Sequence, residues 1–229
     1  MTSLLIATRN AHKVGEIQAI LGDGFACQTL AEFPTAPPVV EDADTFAGNA
    51  TKKAVELARW ISSCAVLQSP SPDYVLADDS GLEVDALGGQ PGVHSARFAA
   101  LDSGRPGNSR DADNNAKLLR LLAGVPREQR TARFRCVLAL VPVLRDHVVS
   151  ASPVCYADEF EMAARLFEGA CEGRIEMAAS GHGGFGYDPL FVPDGFDLSF
   201  AELGEAIKNR ISHRSRALAN LRAALARPV

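Results

Sequence analysis

Short apolar runs alternate along this chain with segments whose apolar residues recur every three or four positions, and this constrains the fold more than any other feature. Ser3–Ala7 (SLLIA) is almost wholly apolar, the pattern of a strand covered on both faces. Polar Thr8-Arg9-Asn10 follows. Val14, Ile17 and Leu21 then return at helical spacing, and Gly22 ends the helix. The proline-rich connection Phe33–Glu41 leads to a second helix over Thr45–Ser62, capped by Thr45, with Phe46, Ala50, Ala54, Leu57 and Ile61 on one face. Tyr74–Ala77 predicts another buried strand, stopping at Asp78-Asp79-Ser80-Gly81. Asp111 caps a third helix in this reading, with Leu118, Leu119 and Leu122 turned inward before Gly124.

Thr131–Leu140 alternates, with Ala132, Phe134, Cys136 and Leu138 on one side, and reads as a strand. Further strands are expected near Val148–Cys155 and Arg165–Ala170. Ser180–Pro189 is a glycine-rich loop, and a last helix runs from Ser212 with Leu218, Leu221 and Leu225 on one face. Strands interleaved with helices define an α/β fold. No repeat or low-complexity linker divides the chain, so its 229 residues are expected to form one domain.

Charge narrows the function classes. Lysine and arginine total 23 against 28 aspartates and glutamates, which argues against a general nucleic-acid binder, since that role needs a basic surface. A local basic pocket for a small polyanion stays open. The five cysteines, Cys27, Cys64, Cys136, Cys155 and Cys171, form no CxxC pair. They read as reduced thiols packed as small apolar groups in a cytoplasmic protein. The longest apolar run, Cys136–Leu144, is interrupted by Pro142 and falls short of the roughly 20 residues a membrane span needs. No targeting signal is recognisable, so neither a membrane nor a nucleic-acid partner is expected.

Five segments carry side chains suited to chemistry. Thr8–Lys13 (TRNAHK) lies between strand and helix, where backbone N–H groups and the helix dipole favour phosphate. Asn10 offers an amide and Lys13 a charge, although the Walker glycines are missing. A capped helix with a solvated lysine fits equally. Asp78 and Asp79 stand together at the expected strand end, the usual ligand position in open α/β sheets. Adjacent carboxylates repel unless they share a cation or a proton. Mg²⁺ suits them, as does a water held by one carboxylate as general base. A plain turn suits them too.

Gly88–Phe98 (GGQPGVHSARF) is a tight loop in which Arg97 can meet a phosphate or an acidic neighbour. Gly181–Pro189 (GHGGFGYDP) sets Phe185 and Tyr187 among glycines, either as a platform for stacking a base or as a hairpin with core aromatics. Asp188 bonds base or sugar there, or caps the turn. Lys208–Arg214 (KNRISHR) places His213 and Arg214 at a helix start, as donors to a ligand or as surface residues. Together these segments supply what a nucleoside triphosphate site requires, with attack on phosphorus as its chemistry.

In this order the segments resemble the inosine triphosphate pyrophosphatase family, the non-canonical purine NTP pyrophosphatases. The resemblance spans Leu4 to about Leu225, and is carried by ADDSGLEVDALGGQPGVHSARF at Ala77–Phe98, FGYDPLF at Phe185–Phe191 and SHRSRAL at Ser212–Leu218. It implies an elongated mixed-sheet α/β fold of two lobes flanking a nucleotide-binding cleft, and a homodimer. It also implies Mg²⁺-dependent hydrolysis of ITP, dITP and XTP to the monophosphate and pyrophosphate. Thr8, Arg9, Asn10, Ala11, His12 and Lys13 would cradle the triphosphate. Asp79 would be general base and metal ligand, with Asp78 beside it and Glu41 completing the metal site. Lys53 would face the phosphates, and Ser80 the substrate. Phe185, Gly186, Tyr187 and Asp188 would hold the base, with Phe185 stacking on it. Lys208, His213 and Arg214 would read the 6-oxo group, which adenine replaces with an amino group, leaving such donors unpaired. Rejection of GTP would rest on its 2-amino group.

Two departures stand out. Arg9 and His12 are larger than the residues many members carry. Val143–Phe167, containing Asp158, Glu159 and Glu161, is long and reads as an inserted hairpin or loop. A pyrophosphatase of other modified nucleotides, as in the Maf-like proteins, and a non-catalytic nucleotide-binding module are the competing readings.

Overall fold

The structure is a computed structural model that describes residues 1–63, 71–104, 107–144 and 159–226. Six strands and six helices are used below: β1 (Thr2–Ile6), α1 (Ala11–Leu21), β2 (Phe25–Thr29), α2 (Phe46–Ser63), β3 (Tyr74–Val84), α3 (Asp111–Leu121), β4 (Thr131–Pro142), α4 (Glu159–Met162), β5 (Arg165–Ile175), β6 (Phe191–Pro193), α5 (Phe200–Ile211) and α6 (His213–Leu225). The strands form one mixed sheet in the order β2-β1-β3-β4-β5-β6. β1 is parallel to β2 and β3, whereas β5 and β6 are antiparallel. The α/β expectation is met.

The chain forms two compact units. The first comprises Met1–Asp79 and Val137–Phe167, the second Ser80–Cys136 and Glu168–Val229. In the first unit Leu4, Leu5 and Ile6 are fully buried, as expected of a parallel strand covered on both faces. Ala50, Ala54, Leu57 and Ile61 of α2 are buried likewise. The Thr45 hydroxyl accepts the Gly48 N–H at 3.0 Å and caps α2 as its sequence predicts. In the second unit Leu82, Val84, Phe98, Leu118, Leu122, Phe134, Ile175, Tyr187, Phe191 and Phe200 belong to one apolar core. Leu119 packs against it partly buried.

Several expectations need correction. β3 does not stop at Ala77 but continues through Asp78-Asp79-Ser80-Gly81 to Val84. Aspartate, serine and glycine favour turns locally, yet burial and sheet pairing override that preference here. Asp111 does not cap α3. Arg110 is the cap residue and makes no side-chain cap bond, while Asp111 accepts the Gly186 N–H instead. β2, α5, β6 and the short α4 have no counterpart in the sequence reading. α5 contains Gly204 at φ +77°, which breaks the period that would reveal a helix. The strand expected at Arg165–Ala170 extends to Ile175. The strand expected near Val148–Cys155, most of the long Val143–Phe167 segment, and Cys64 lie outside the described residues.

Candidate functional site

In the first unit, strand register brings the expected phosphate loop to the acidic residues. Leu4, Leu5 and Ile6 stand opposite Tyr74, Val75 and Leu76 in parallel, and the Ala7 N–H donates to the Leu76 carbonyl at 2.8 Å. Two residues farther along each segment lie Thr8, just past the C-terminal end of β1 where ligands bind in such sheets, and Asp78, within β3.

Thr8–Lys13 is heavily self-capped. The Asn10 N–H donates to Thr8 Oγ1, and the His12 and Lys13 N–H groups donate to Asn10 Oδ1. Arg9 donates to the Ala36 carbonyl at 3.2 Å. Ala11 is the first residue of α1, and both it and His12 are exposed. Backbone N–H groups expected for phosphate are therefore largely spent on capping.

Asp78 and Asp79 do not form a facing pair. Successive residues of an extended strand point to opposite faces. Asp78, almost fully buried, pairs with Lys13 of α1. Asp79 is served by α2: Lys53 Nζ lies 3.8 Å from Asp79 Oδ1 and donates to Glu41 Oε2 at 3.0 Å and to the Asp78 carbonyl at 2.7 Å. Asn49, four residues before Lys53 and so on the same helix face, also favours charge on Asp79. Its amide holds both backbone groups of Ala43.

Burial raises the Asp79 carboxyl to about 6, against the opposing pull of Lys53 and Lys13, and Glu41 adds to the rise. Asp79 Oδ2 is buried without a hydrogen-bond partner. An orphaned buried carboxylate oxygen is costly and calls for a cation or a proton. With Glu41 sharing Lys53, the pair fits a hard divalent cation, which takes one or two carboxylates and completes its shell with water and phosphate oxygens. Among the described residues no group of three or more His, Cys, Asp or Glu is arranged to hold a metal, and Asp78 is committed to Lys13.

In the second unit, Ser80 Oγ accepts from Arg214 Nη2 at 2.9 Å. Arg214 and His213 open α6 behind the Ser212 cap and are buried rather than superficial. The His213 ring stacks on Phe134 with centroids 4.9 Å apart and planes 14° apart. Lys208 donates to Asp188 Oδ2 at 2.6 Å, and both residues are buried. Lys208 Nζ also lies 4.3 Å from the centre of the Phe185 ring. Asp188 Oδ2 accepts the Phe185 N–H at 2.8 Å, tying lysine and loop to one carboxylate.

Tyr187 is no exposed platform. Its ring belongs to the core, its hydroxyl donates to the Ser95 carbonyl at 2.9 Å, and burial pushes its phenol up. That bond uses the Gly88–Phe98 segment as a support. Phe185 is half-buried. Gly186 stands at φ +62°, held through its N–H by Asp111 and through its carbonyl by Asn115.

The sequence reading did not single out Asn49, Asn115 and Ser95, and it named Phe134 only as a residue on one side of a strand. Only Asn49 left a signal there, its four-residue spacing from Lys53. The others act across long sequence separations that no local pattern displays. No helix of the described residues is long and apolar enough to cross a membrane.

Comparison with known proteins places this geometry in a lineage. The Ham1 family model matches residues 4–224. A dITP/XTP pyrophosphatase of Opitutus terrae is 48% identical over 95% of this chain and 96% of its own. Another from Shouchella clausii is 40% identical over 97% and 96%. A Ham1 protein structure from Coxiella burnetii is similar with a TM-score of 0.74 at 33% identity, covering 98% of each chain. The nucleoside-triphosphatase / dITP/XTP pyrophosphatase structure from Mycobacterium abscessus gives 0.67 at 36% identity, over 96% of this chain and 98% of that one. With a family model matched over nearly its whole length and relatives of this identity, the chain belongs to the Ham1 family.

Proposed function

We propose that this chain hydrolyses non-canonical purine nucleoside triphosphates, ITP, dITP and XTP, to the monophosphate and pyrophosphate. The observation that carries the proposal is Asp79: a buried carboxylate with one unpartnered oxygen, raised to about 6, beside Lys13 and Lys53. Such a group is ionised at neutral pH yet still basic enough to take a proton from water.

In the reaction, water oxygen bonds to the α-phosphorus, the α–β bridging P–O bond breaks, and pyrophosphate leaves. Asp79 accepts the water proton. Lys13 and Lys53 balance charge on the phosphate oxygens, with Thr8 and Asn10 as further polar contacts. Asp79 and Glu41 would hold Mg²⁺, which when bound supplies further neutralisation of phosphate charge. Asp78 serves by fixing Lys13.

The purine is assigned to the Phe185–Asp188 loop. Phe185 stacks on the ring, and Gly186 and Asp188 shape the loop around it. His213 and Arg214 donate to the 6-oxo group, while Lys208 is anchored by Asp188 beside them. Adenine presents an amino group instead and leaves those buried donors unsatisfied, at a cost of about 1–3 kcal/mol for each unmade bond. Ser80 contacts the substrate from its bond with Arg214. A homodimer working in the cytoplasm accompanies this reading, and light scattering on the purified protein checks the former.

The test is pyrophosphate release from ITP, XTP, dITP, GTP, ATP and dTTP with Mg²⁺, and with EDTA as control. Rapid metal-dependent release from ITP, XTP and dITP, with slow GTP and ATP, is expected. Preference for a non-purine nucleotide, or binding without turnover, overturns the proposal.

A further inference from the structure

Gly186 gives both of its backbone polar groups to α3. Its N–H donates to Asp111 Oδ2 at 2.7 Å, and its carbonyl accepts from Asn115 Nδ2 at 3.0 Å. Asp111 and Asn115 are four residues apart, hence neighbours on one face of the helix. Asp111 is not the cap of α3.

Asn115 carries a penalty in this position. Its Oδ1 is buried with no hydrogen-bond partner, and a half-satisfied buried amide is worse than an apolar side chain unless its other end has a task. Gly186 itself meets no wall. A Cβ built on it would find nothing within 4 Å, although its φ is +62°. Crowding therefore does not set the orientation of this residue; the two bonds to α3 do so together with the turn's own bonds, Asp188 N–H to the Phe185 carbonyl at 3.2 Å and Phe185 N–H to Asp188 Oδ2 at 2.8 Å.

We infer that Asp111 and Asn115 are positioning residues for base selection: by clamping Gly186 they fix the Phe185 ring and the Asp188 carboxylate on either side of it. The inference rests on the proposed role of Phe185–Asp188 as the purine site. Neither clamp residue touches the substrate. Freed from them, the glycine would sample other conformations, and the Phe185 ring would lose its fixed place over Lys208.

The experiment is steady-state kinetics with ITP and GTP on Asp111→Ala, Asn115→Ala, Asp111→Asn and Phe185→Ala, with thermal melts alongside. Asn115→Asp replaces Asn115→Ala if the latter does not fold. A loss confined to base positioning should raise KM for ITP about tenfold, leave kcat within about twofold and narrow the ITP-over-GTP ratio of kcat/KM about tenfold. Asp111→Asn keeps an acceptor oxygen and should restore KM to within about threefold of the parent. Phe185→Ala should shift KM and the ratio as well. If it does while the Asp111 and Asn115 variants keep parental KM and selectivity, the clamp is overturned and the purine site stands. If none of the variants moves either quantity, the purine site falls and the clamp with it. A drop in kcat at constant KM and constant ratio in the clamp variants makes their role purely structural and also overturns the inference.

Discussion

Lys208 and Asp188 form an ion pair at 2.6 Å in which both side chains are almost wholly removed from water. Removing one partner of such a pair strands a charge in the interior, at a cost of about 3–5 kcal/mol. Asp188→Ala and Lys208→Met should each lose stability of that order in urea denaturation. A Lys208→Met/Asp188→Leu double substitution should recover most of the loss without recovering ITP turnover. If the single substitutions cost no more than an exposed pair would, the pair does not carry the loop.

Asp79 predicts opposite effects on stability and turnover. Its carboxyl titrates at about 6 in the folded chain because it is buried, whereas an unfolded aspartate titrates near about 4. The folded state thus binds the extra proton, and the stability this contributes is complete below about pH 4 and lost as pH rises through about 6. In metal-free buffer Asp79→Asn should therefore stabilise the protein at pH 8 by about 1–3 kcal/mol and have little effect at pH 4. Turnover should fall by about two to four orders of magnitude. Urea melts at the two pH values, beside kinetics at pH 8, check both halves. An equal effect at both pH values would remove burial as the cause.

Lys13 is bonded to Asp78, a carboxylate only 1% exposed. Lys13→Met should therefore destabilise the chain by about 2–4 kcal/mol, somewhat less than a fully enclosed pair because the lysine itself is partly hydrated. Adding Asp78→Leu should restore stability but not the affinity for triphosphate. Restored affinity in the double variant would take Lys13 out of phosphate binding, as read from KM for ITP.

Gly184 and Gly186 should respond differently to alanine although both have positive φ. A Cβ on Gly184 would lie 2.2 Å from Asp188 Oδ2, whereas one on Gly186 meets open space. Gly186→Ala should cost only backbone strain, about 1–2 kcal/mol. Gly184→Ala must in addition displace the carboxylate that holds Phe185 and Lys208, and should raise KM for ITP about tenfold. Thermal melts and ITP kinetics on the pair separate strain from displacement.

The parts of this fold that were legible in the sequence are those governed by near neighbours. β1, α1 ending at Gly22, and α2 behind Thr45 all follow from periodicity and capping within a few residues. Asp79, Lys53 and Glu41 were legible as a group through family resemblance, and the structure brings Lys53 to both carboxylates. Asp78-Asp79 misled because turn preference and carboxylate repulsion are local, while the partners that settle both, Lys13 and Lys53, come from two different helices. Asp111 misled for a similar reason: a carboxylate at a helix start looks like a cap, and its actual partner is 75 positions away. Tyr187 shows the converse, since glycines around an aromatic suggest exposure and only the tertiary core reveals burial.

The passage of β3 straight through Asp78 and Asp79 has a consequence for how this family can vary in length. Along an uninterrupted strand each side chain's face is fixed by counting in twos. Deleting one residue between Val75 and Asp78 would present Asp79 to Lys13 and move Asp78 away, exchanging the places of the two carboxylates without altering either residue. Loops here can lengthen at little cost, because closing a longer loop is a slowly growing entropic penalty. The spacing from Tyr74 to Ser80 is digital by comparison. A library of single-codon insertions and deletions should show a sharp intolerant window across these residues, flanked by permissive connections.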